Sequence, residues 1–282
     1  MKILLTGASG LIGSALLGRL QPEHDCRTLT LRQPFAVPPD AIEWADAIIS
    51  LNGATLSRVP WTADYRRQIA ASRINITTAI AAAIAVSPSP PSVWLAASAV
   101  GVYGDRGEDE LSEDAAPGRG FLAEVTKAWE QATSPASDSA RVVNLRTGLV
   151  IAESGALKPL LLMSKLGLGA RLGSGSAWWP WVSLADEVGG IIYSLDHDQI
   201  VGPVNLVGPT PARSGEVTAE LANAAKRPYL MRLPAPVLHT LLGQAADELL
   251  LASQKVVPAK LLRSGYSFVH DAVATAIAAH DQ

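Results

Sequence analysis

Met1-Lys2-Ile3-Leu4-Leu5-Thr6-Gly7-Ala8-Ser9-Gly10-Leu11-Ile12-Gly13 opens the chain, and its reading decides the fold. The first six residues are a compact apolar run of the kind that makes a buried strand. Leu11, Ala15, Leu16 and Leu20 then recur at helical spacing. The segment is therefore strand, glycine turn, helix. Backbone N–H groups of such a turn, together with the N-terminus of the helix behind it, can hold a pyrophosphate. Gly7 permits the tight turn, Gly10 the close approach of a phosphate, and Gly13 the close packing of helix on strand. The spacing is G-x-x-G-x-x-G rather than G-x-G-x-x-G, and three glycines alone also suit a plain strand-to-helix turn. Their position between a strand and a helix, with another strand following, turns the reading to a dinucleotide, held by Gly7, Ser9, Gly10, Leu11, Ile12 and Gly13.

Working outward, a second strand fits 27–31, a third short one lies near Ile42, and 47–51 reads as a buried strand ended by Asn52-Gly53. A long Ala/Ile-rich helix fits 62–85 with Thr62 as its N-cap. Further strands are expected at 93–97 and 140–145, with a polar loop over 104–120 and a helix over 121–133 between them. Alternating strands and helices predict an α/β fold: a Rossmann-like, doubly wound parallel sheet over residues 1–150. The second half carries helical patterns at 158–166, 184–195, 214–225, 235–251 and 259–265. Residues 151–282 are thus expected to form a smaller, mostly helical C-terminal substrate lobe, with a segment around 182–206 returning to the first domain.

The end of the second strand speaks to the choice of cofactor. An acidic residue there would suit the ribose hydroxyls of NAD(H), but the sequence reads Thr30-Leu31-Arg32, and a cation suits the 2′-phosphate of NADP(H). NADP(H) is favoured over NAD(H); the plain alternative is a solvated loop arginine. Leu51-Asn52-Gly53-Ala54, ending the buried strand, would bring backbone close to the adenosine side.

Composition narrows the rest. With 23 Lys+Arg against 26 Asp+Glu the net charge is −3, and no basic block offers a nucleic-acid or membrane surface. No apolar run approaches the roughly 18 to 20 residues that span a bilayer. One cysteine, Cys26, cannot form an intramolecular disulfide, and the five histidines show no metal-ligand spacing, so a cytoplasmic protein without a metal site is expected. Charged residues make up 17% of the chain, below the roughly 25% of an average globular protein. That apolar excess implies a large core or a subunit interface.

Beyond the glycine turn and Leu51-Asn52-Gly53-Ala54, the chain carries Ser98-Ala-Val-Gly-Val-Tyr103-Gly104, Phe121-Leu-Ala-Glu-Val-Thr-Lys-Ala-Trp-Glu130, Leu145-Arg146-Thr147-Gly148, Trp181-Val-Ser-Leu-Ala-Asp186 and Glu248-Leu-Leu-Leu-Ala-Ser-Gln254. With these it resembles the extended and atypical short-chain dehydrogenase/reductase superfamily, and more narrowly the epimerase-family group of uncertain substrate with a distinctive C-terminal region. The resemblance implies a Rossmann domain with a substrate lobe and NAD(P)-dependent chemistry on a small polar molecule, such as a sugar nucleotide. It also implies that Arg73, Ala97, Lys127, Thr147 and Gly148 line the cofactor. The helices at 62–85 and 121–133 can pair across a dimer axis in such proteins, so a homodimer is expected.

In catalytically competent members of that superfamily, a tyrosine four residues before a lysine exchanges a proton while the nicotinamide exchanges a hydride, and a serine orients the substrate oxygen. Ser98 matches the serine. Four residues before Lys127 stands Ala123; placing Glu130 as the usual downstream acid instead pairs Leu122 with Thr126. Neither register supplies a phenol. Candidate substitutes are Glu124, if burial raises its pKa, and Tyr103, close to Ser98; a solvated glutamate and turn packing are the alternatives. Lys127 would hold the nicotinamide ribose or simply lie on the helix surface. Arg146, Arg171, Trp178 and Trp181 are the candidate substrate contacts, with lobe packing the equal alternative for the tryptophans. Two functions follow: an NADP(H)-dependent epimerase or oxidoreductase-like enzyme, or a non-catalytic NADP(H)-binding regulatory protein.

Overall fold

The computed structural model describes residues 1–33, 35–155 and 157–280. Its first half alternates β1 (Lys2–Thr6), α1 (Leu11–Leu20), β2 (Asp25–Leu29), α2 (Pro39–Trp44), β3 (Ala47–Ser50), α3 (Ala63–Ala85) and β4 (Val93–Ala99). The short β5 (Glu110–Leu111), α4 (Phe121–Gln131) and β6 (Arg141–Thr147) follow. Six strands form one parallel sheet in the order β11-β6-β4-β3-β1-β2, where β11 is Gly202–Leu206. The expected doubly wound sheet is present, with β11 from the second half of the chain at one edge. Thr62 caps α3 as expected, its side chain accepting from the Tyr65 N–H at 3.1 Å.

Side-chain alternation along the strands separates two faces. Ile3, Leu5, Leu95, Val143 and Leu145 pack with Leu16 of α1 and with Val188 and Ile191 of α6 (Leu184–Asp196). Leu4, Ile48, Trp94 and Ala96 pack on the other face with Ile42 of α2 and with Ile76, Ile80 and Ile84 of α3. Burial on both faces is what near-continuous apolar strands require.

Two expected elements differ. The third short strand near Ile42 is instead helix α2: Pro39 stands in its first turn with φ already suited to a helix, Asp40 lies at its N-terminal end, and Ile42 is the residue it buries. The second strand ends at Leu29 rather than Leu31, because Leu31 leaves the sheet to join the cluster around Ile42.

The second half adds short paired strands and helices: β7 (Leu149–Ile151), α5 (Lys158–Lys165), β8 (Ala170–Leu172), β9 (Trp178–Trp179), β10 (Trp181–Ser183), β12 (Ala212–Arg213), α7 (Ser214–Ala224) and β13 (Met231–Leu233). β10 pairs with β7, β12 with β9 and β13 with β8. The expected helix over 235–251 is interrupted: α8 (Ala235–Leu242) stops at Gly243, whose φ of +59° no helix accepts, and α9 (Gln244–Ala246) runs into a wide π turn, Asp247–Leu251. β14 (Lys255–Val256) pairs with β5, and α10 (Ala259–Ser264) and α11 (Val273–His280) close the fold. α11 packs on α7 with Val273, Ala276 and Ile277, an amphipathic segment that the sequence reading passed over.

Candidate cofactor and substrate cleft

The chain leaves β1 toward β2 on one side of the sheet and reaches β3 on the other, so the direction of winding reverses between β1 and β3. Ligands of open parallel sheets sit outside the strand C-termini at such a point. Gly7, with φ of +77°, lies there, and a Cβ on it would stand 2.6 Å from the Leu51 carbonyl carbon. A Cβ at Gly13 would overlap the Gly7 carbonyl oxygen. Gly10 is the N-cap of α1 and makes no side-chain cap, leaving the first-turn N–H groups of Leu11, Ile12 and Gly13 directed at the exposed Ser9-Gly10 edge. The three glycines thus form one backbone cradle, the geometry a pyrophosphate needs. Arg32 is exposed just beyond β2.

On the far side of the switch point, Leu51 to Ala54 are pinned by α3. The Ala54 N–H donates to Ser72 Oγ at 3.0 Å, and Arg73 Nη2 donates to the Ala54 carbonyl at 3.1 Å. Asn52 Oδ1 accepts from the Thr6 hydroxyl. Arg73 also donates to the Ile69 carbonyl and lies 5.2 Å from the Trp129 ring centroid, with no carboxylate paired to it among the described residues. Burial of that unpaired guanidinium pulls its pKa down to about 10. It supports the loop from behind.

Strand alternation decides what β4 and β6 present. Ser98 and Arg146 are paired in register and point to the α4 face, whereas Ala97, Ala99 and Thr147 point to the face of α1 and α6. Ser98 is 4% exposed, and its hydroxyl donates to Glu130 Oε1 at 2.6 Å. Glu130 also receives Arg146 Nε at 2.7 Å and Nη2 at 2.8 Å, a bidentate buried pair. Arg146 Nη1 donates to the Tyr103 hydroxyl, which donates to Asn205 Oδ1 at 2.7 Å. Burial works against the Arg146 charge, but the Glu130 carboxylate and the Tyr103 oxygen outweigh it and raise its pKa. For Tyr103, burial dominates and pushes the phenol up.

This network corrects four expectations. Arg146 does not reach a substrate: its guanidinium is committed to Glu130, Tyr103 and the Glu113 carbonyl. Tyr103 is fully buried and braces that network instead of lining the cleft. Helix α4 faces β4 through Leu122, Thr126 and Glu130, since a Cβ at Gly101 would stand 3.4 Å from Leu122 Cβ and 3.7 Å from Thr126 Oγ1. Glu124 and Lys127 are therefore on its outer side, 63% and 53% exposed and paired with each other at 3.2 Å. The burial that would make Glu124 an acid is absent, and Lys127 is spent on Glu124 at the solvent-facing side of the helix.

The second-half candidates scatter. Trp181 is 1% exposed, its indole N–H donating to the Thr210 carbonyl against the Gly208 backbone, so it is core and not a cleft wall. Trp178 is partly exposed but covered by Arg213, whose Cζ lies 4.1 Å from its ring centroid, while its N–H donates to Glu108. Arg171 lies on β8 with its stem against Gly175. Glu248, swung inward by the π turn, caps α4 by accepting from the N–H groups of Phe121 and Leu122 at 2.9 and 2.6 Å. Within Glu248-Leu-Leu-Leu-Ala-Ser-Gln254 nothing local signals that capping role. Glu187 was missed entirely: it is fully buried on α6 beside Thr147, and a helical pattern gives no signal for a buried acid. Among the described residues no group of three His, Cys, Asp or Glu is arranged to hold a metal ion.

Comparison with known proteins agrees with this fold. Residues 3–208 match the model of the NAD dependent epimerase/dehydratase family, and residues 233–279 match a domain of unknown function, DUF1731. The chain is 35% identical to the Mycobacterium bovis epimerase family protein Mb2239, over 98% of this chain and 96% of that one. A crystal structure of human epimerase family protein SDR39U1 (isoform 2) with NADPH superposes with a TM-score of 0.91 at 28% identity, covering 100% of this chain and 99% of that one. A nucleoside-diphosphate sugar epimerase from Corynebacterium glutamicum superposes with a TM-score of 0.80 at 30% identity, covering 99% of this chain and 58% of that one.

Proposed function

The chain belongs to the NAD dependent epimerase/dehydratase family, and on that premise we propose that it binds NADP(H) across the C-terminal edge of its six-stranded sheet. The glycine cradle carries the reading. Gly7, Ser9, Gly10, Leu11, Ile12 and Gly13 would hold the pyrophosphate by backbone N–H groups, and Arg32 the 2′-phosphate. Leu51 to Ala54, backed by Arg73, would flank the adenosine half. The nicotinamide half would then run over the C-terminal parts of β4 and β6, past Ala97, Thr147 and Gly148. NADPH in the similar human structure supports the same choice of dinucleotide. The bound nicotinamide would supply hydride exchange.

What the chain adds to that chemistry is limited. Leu122 and Thr126 occupy the helix positions facing β4, Ser98 donates inward to Glu130, and Tyr103 is buried, so no phenol or ammonium is offered for proton exchange. This observation favours the non-catalytic, regulatory reading over an epimerase or oxidoreductase acting on a small polar substrate such as a sugar nucleotide. Cofactor binding is tested by calorimetry with NADPH and by Gly10→Glu. A Cβ at Gly10 has 3.4 Å to its nearest neighbour, so this variant should fold normally while its carboxylate repels phosphate. Loss of the NADPH-induced rise in Tm with an unchanged apo Tm is expected; an unchanged rise would sink the reading. A panel of sugar nucleotides separates the two functions, since steady NADPH consumption with any of them would establish the enzyme.

We further propose a reducing, cytoplasmic setting and a homodimer in which α3 and α4 pair across the axis. No helix among the described residues is long and apolar enough to cross a membrane.

A further inference from the structure

Glu187 is a carboxyl group with no exposed surface and, among the described residues, no cation paired with it. Its Oε1 accepts from the Thr147 hydroxyl at 2.7 Å, and Oε2 has no hydrogen-bond partner among the described residues. The neighbouring acid on the same helix is committed elsewhere. Asp186 receives the Ser183 hydroxyl and the N–H groups of Val269 and His270. A buried carboxyl served by one neutral donor is held protonated, and burial indeed pushes Glu187 up to about 8. Nothing in the packing of the core calls for an acid at this place.

Position supplies the reason. Thr147 is the last residue of β6, in register with Ala99 of β4 and Leu206 of β11 at the C-terminal edge of the sheet. It is only partly buried, and its side chain points to the same face as Ala8 and Ile12 of the glycine turn. A threonine hydroxyl has one hydrogen to give. With the Glu187 proton on Oε2, the Oε1 carbonyl oxygen accepts that hydrogen, and the lone pairs of Thr147 Oγ1 are left for the cleft. We propose that Glu187 is a positioning residue for the nicotinamide end of the cleft: by accepting from Thr147 it fixes Oγ1 as an acceptor for the carboxamide N–H of the cofactor. The proposal rests on the NADP(H) reading above. It gives a role to an acid standing where a leucine would pack, and to a hydroxyl at the strand end between Ala99 and Leu206 of the neighbouring strands.

The test compares two ligands by calorimetry: NADPH, and its reduced 3-acetylpyridine analogue, in which a methyl ketone replaces the carboxamide and no N–H remains. Wild-type protein should prefer NADPH by about 3- to 10-fold, the range of one hydrogen bond. Glu187→Gln, whose amide oxygen still accepts from Thr147, should keep that preference. Glu187→Leu and Thr147→Val should bind both ligands within about twofold of each other, on the same hydrogen-bond scale. A structural role alone would weaken both ligands equally and leave the preference intact, which would overturn the proposal, as would a wild-type protein with no preference. If Glu187→Leu fails to fold, Thr147→Val and Glu187→Gln decide the matter. Wild-type protein that binds neither ligand would overturn the cofactor reading itself, and this proposal with it.

Discussion

Arg32, Arg73 and Glu187 each carry a charge or an ionisable group that ordinary packing does not require. Arg32 is exposed and free to meet a phosphate, so Arg32→Ala should weaken NADPH binding by about 10-fold or more, the scale of a charge-assisted hydrogen bond, and leave NADH nearly unchanged. Competitive titration with the two dinucleotides measures this. Glu187 makes a statement about stability as well. Its folded pKa of about 8 stands above that of an unfolded glutamate near 4.5, so across that window the folded state holds one proton more than the unfolded state. Stability is fully present below the lower value and falls as pH rises toward 8, by about tenfold in the folding constant per pH unit. Urea denaturation of wild type and Glu187→Gln at pH 5, 6, 7 and 8 should show a slope in the first that is missing in the second. Equal slopes would place the proton elsewhere.

At the scale of elements, α4 is held at both ends by acids, one from distant sequence and one of its own. Glu248 caps its first turn from the C-terminal π turn, and Glu130 near its end ties it to Ser98 and Arg146 on two adjacent strands. Removing one partner of a buried ion pair strands the other, at a cost of about 3 to 5 kcal/mol, so Glu130→Ala should be strongly destabilised in urea titration. Glu248→Ala leaves two backbone N–H groups that water can reach more easily, and a loss of about 1 to 2 kcal/mol is expected. The alternating apolar strands, the Thr62 cap and the helical run over α3 were legible from local pattern. Helix α2 was not, because a short segment with one buried isoleucine suits strand or helix equally, and Pro39 was the discriminating signal. The break at Gly243 was legible in principle, since glycine inside a helical pattern marks a possible stop.

For the whole molecule, the expected homodimer would join the outer faces of α3 and α4. These present Gln68, Asn75, Thr78 and Ala82 on one helix and Glu124 and Lys127 on the other, all exposed. Light scattering should give twice the 29.5 kDa chain mass at micromolar concentration, and Thr78→Arg should return the monomer. A monomeric wild type would mean that the low charge of the chain serves its buried core alone. If NADPH binds, saturation at about 100 times Kd should add about 3 kcal/mol to the stability of whichever assembly forms.

The sequence by itself determined the parallel sheet, the glycine turn, the family and the lack of a tyrosine four residues before Lys127. All of these depend on residues close together in the chain or on spacing along one element. Only the tertiary structure decided which side of α4 faces the cleft. Glu124 and Lys127 lie one step around the helix from Thr126, and nothing local says which of the two faces meets β4. Likewise Arg146, Tyr103 and Trp181 have the chemistry of site residues, yet strand alternation and pairing across the sheet turn them into buried supports. Glu187 shows the reverse: an unremarkable helix glutamate in sequence becomes the most unusual ionisable group in the fold once α6 lays it beside Thr147. Whether a polar side chain serves a ligand or the core depends on which surfaces meet, and residues far apart in sequence set that.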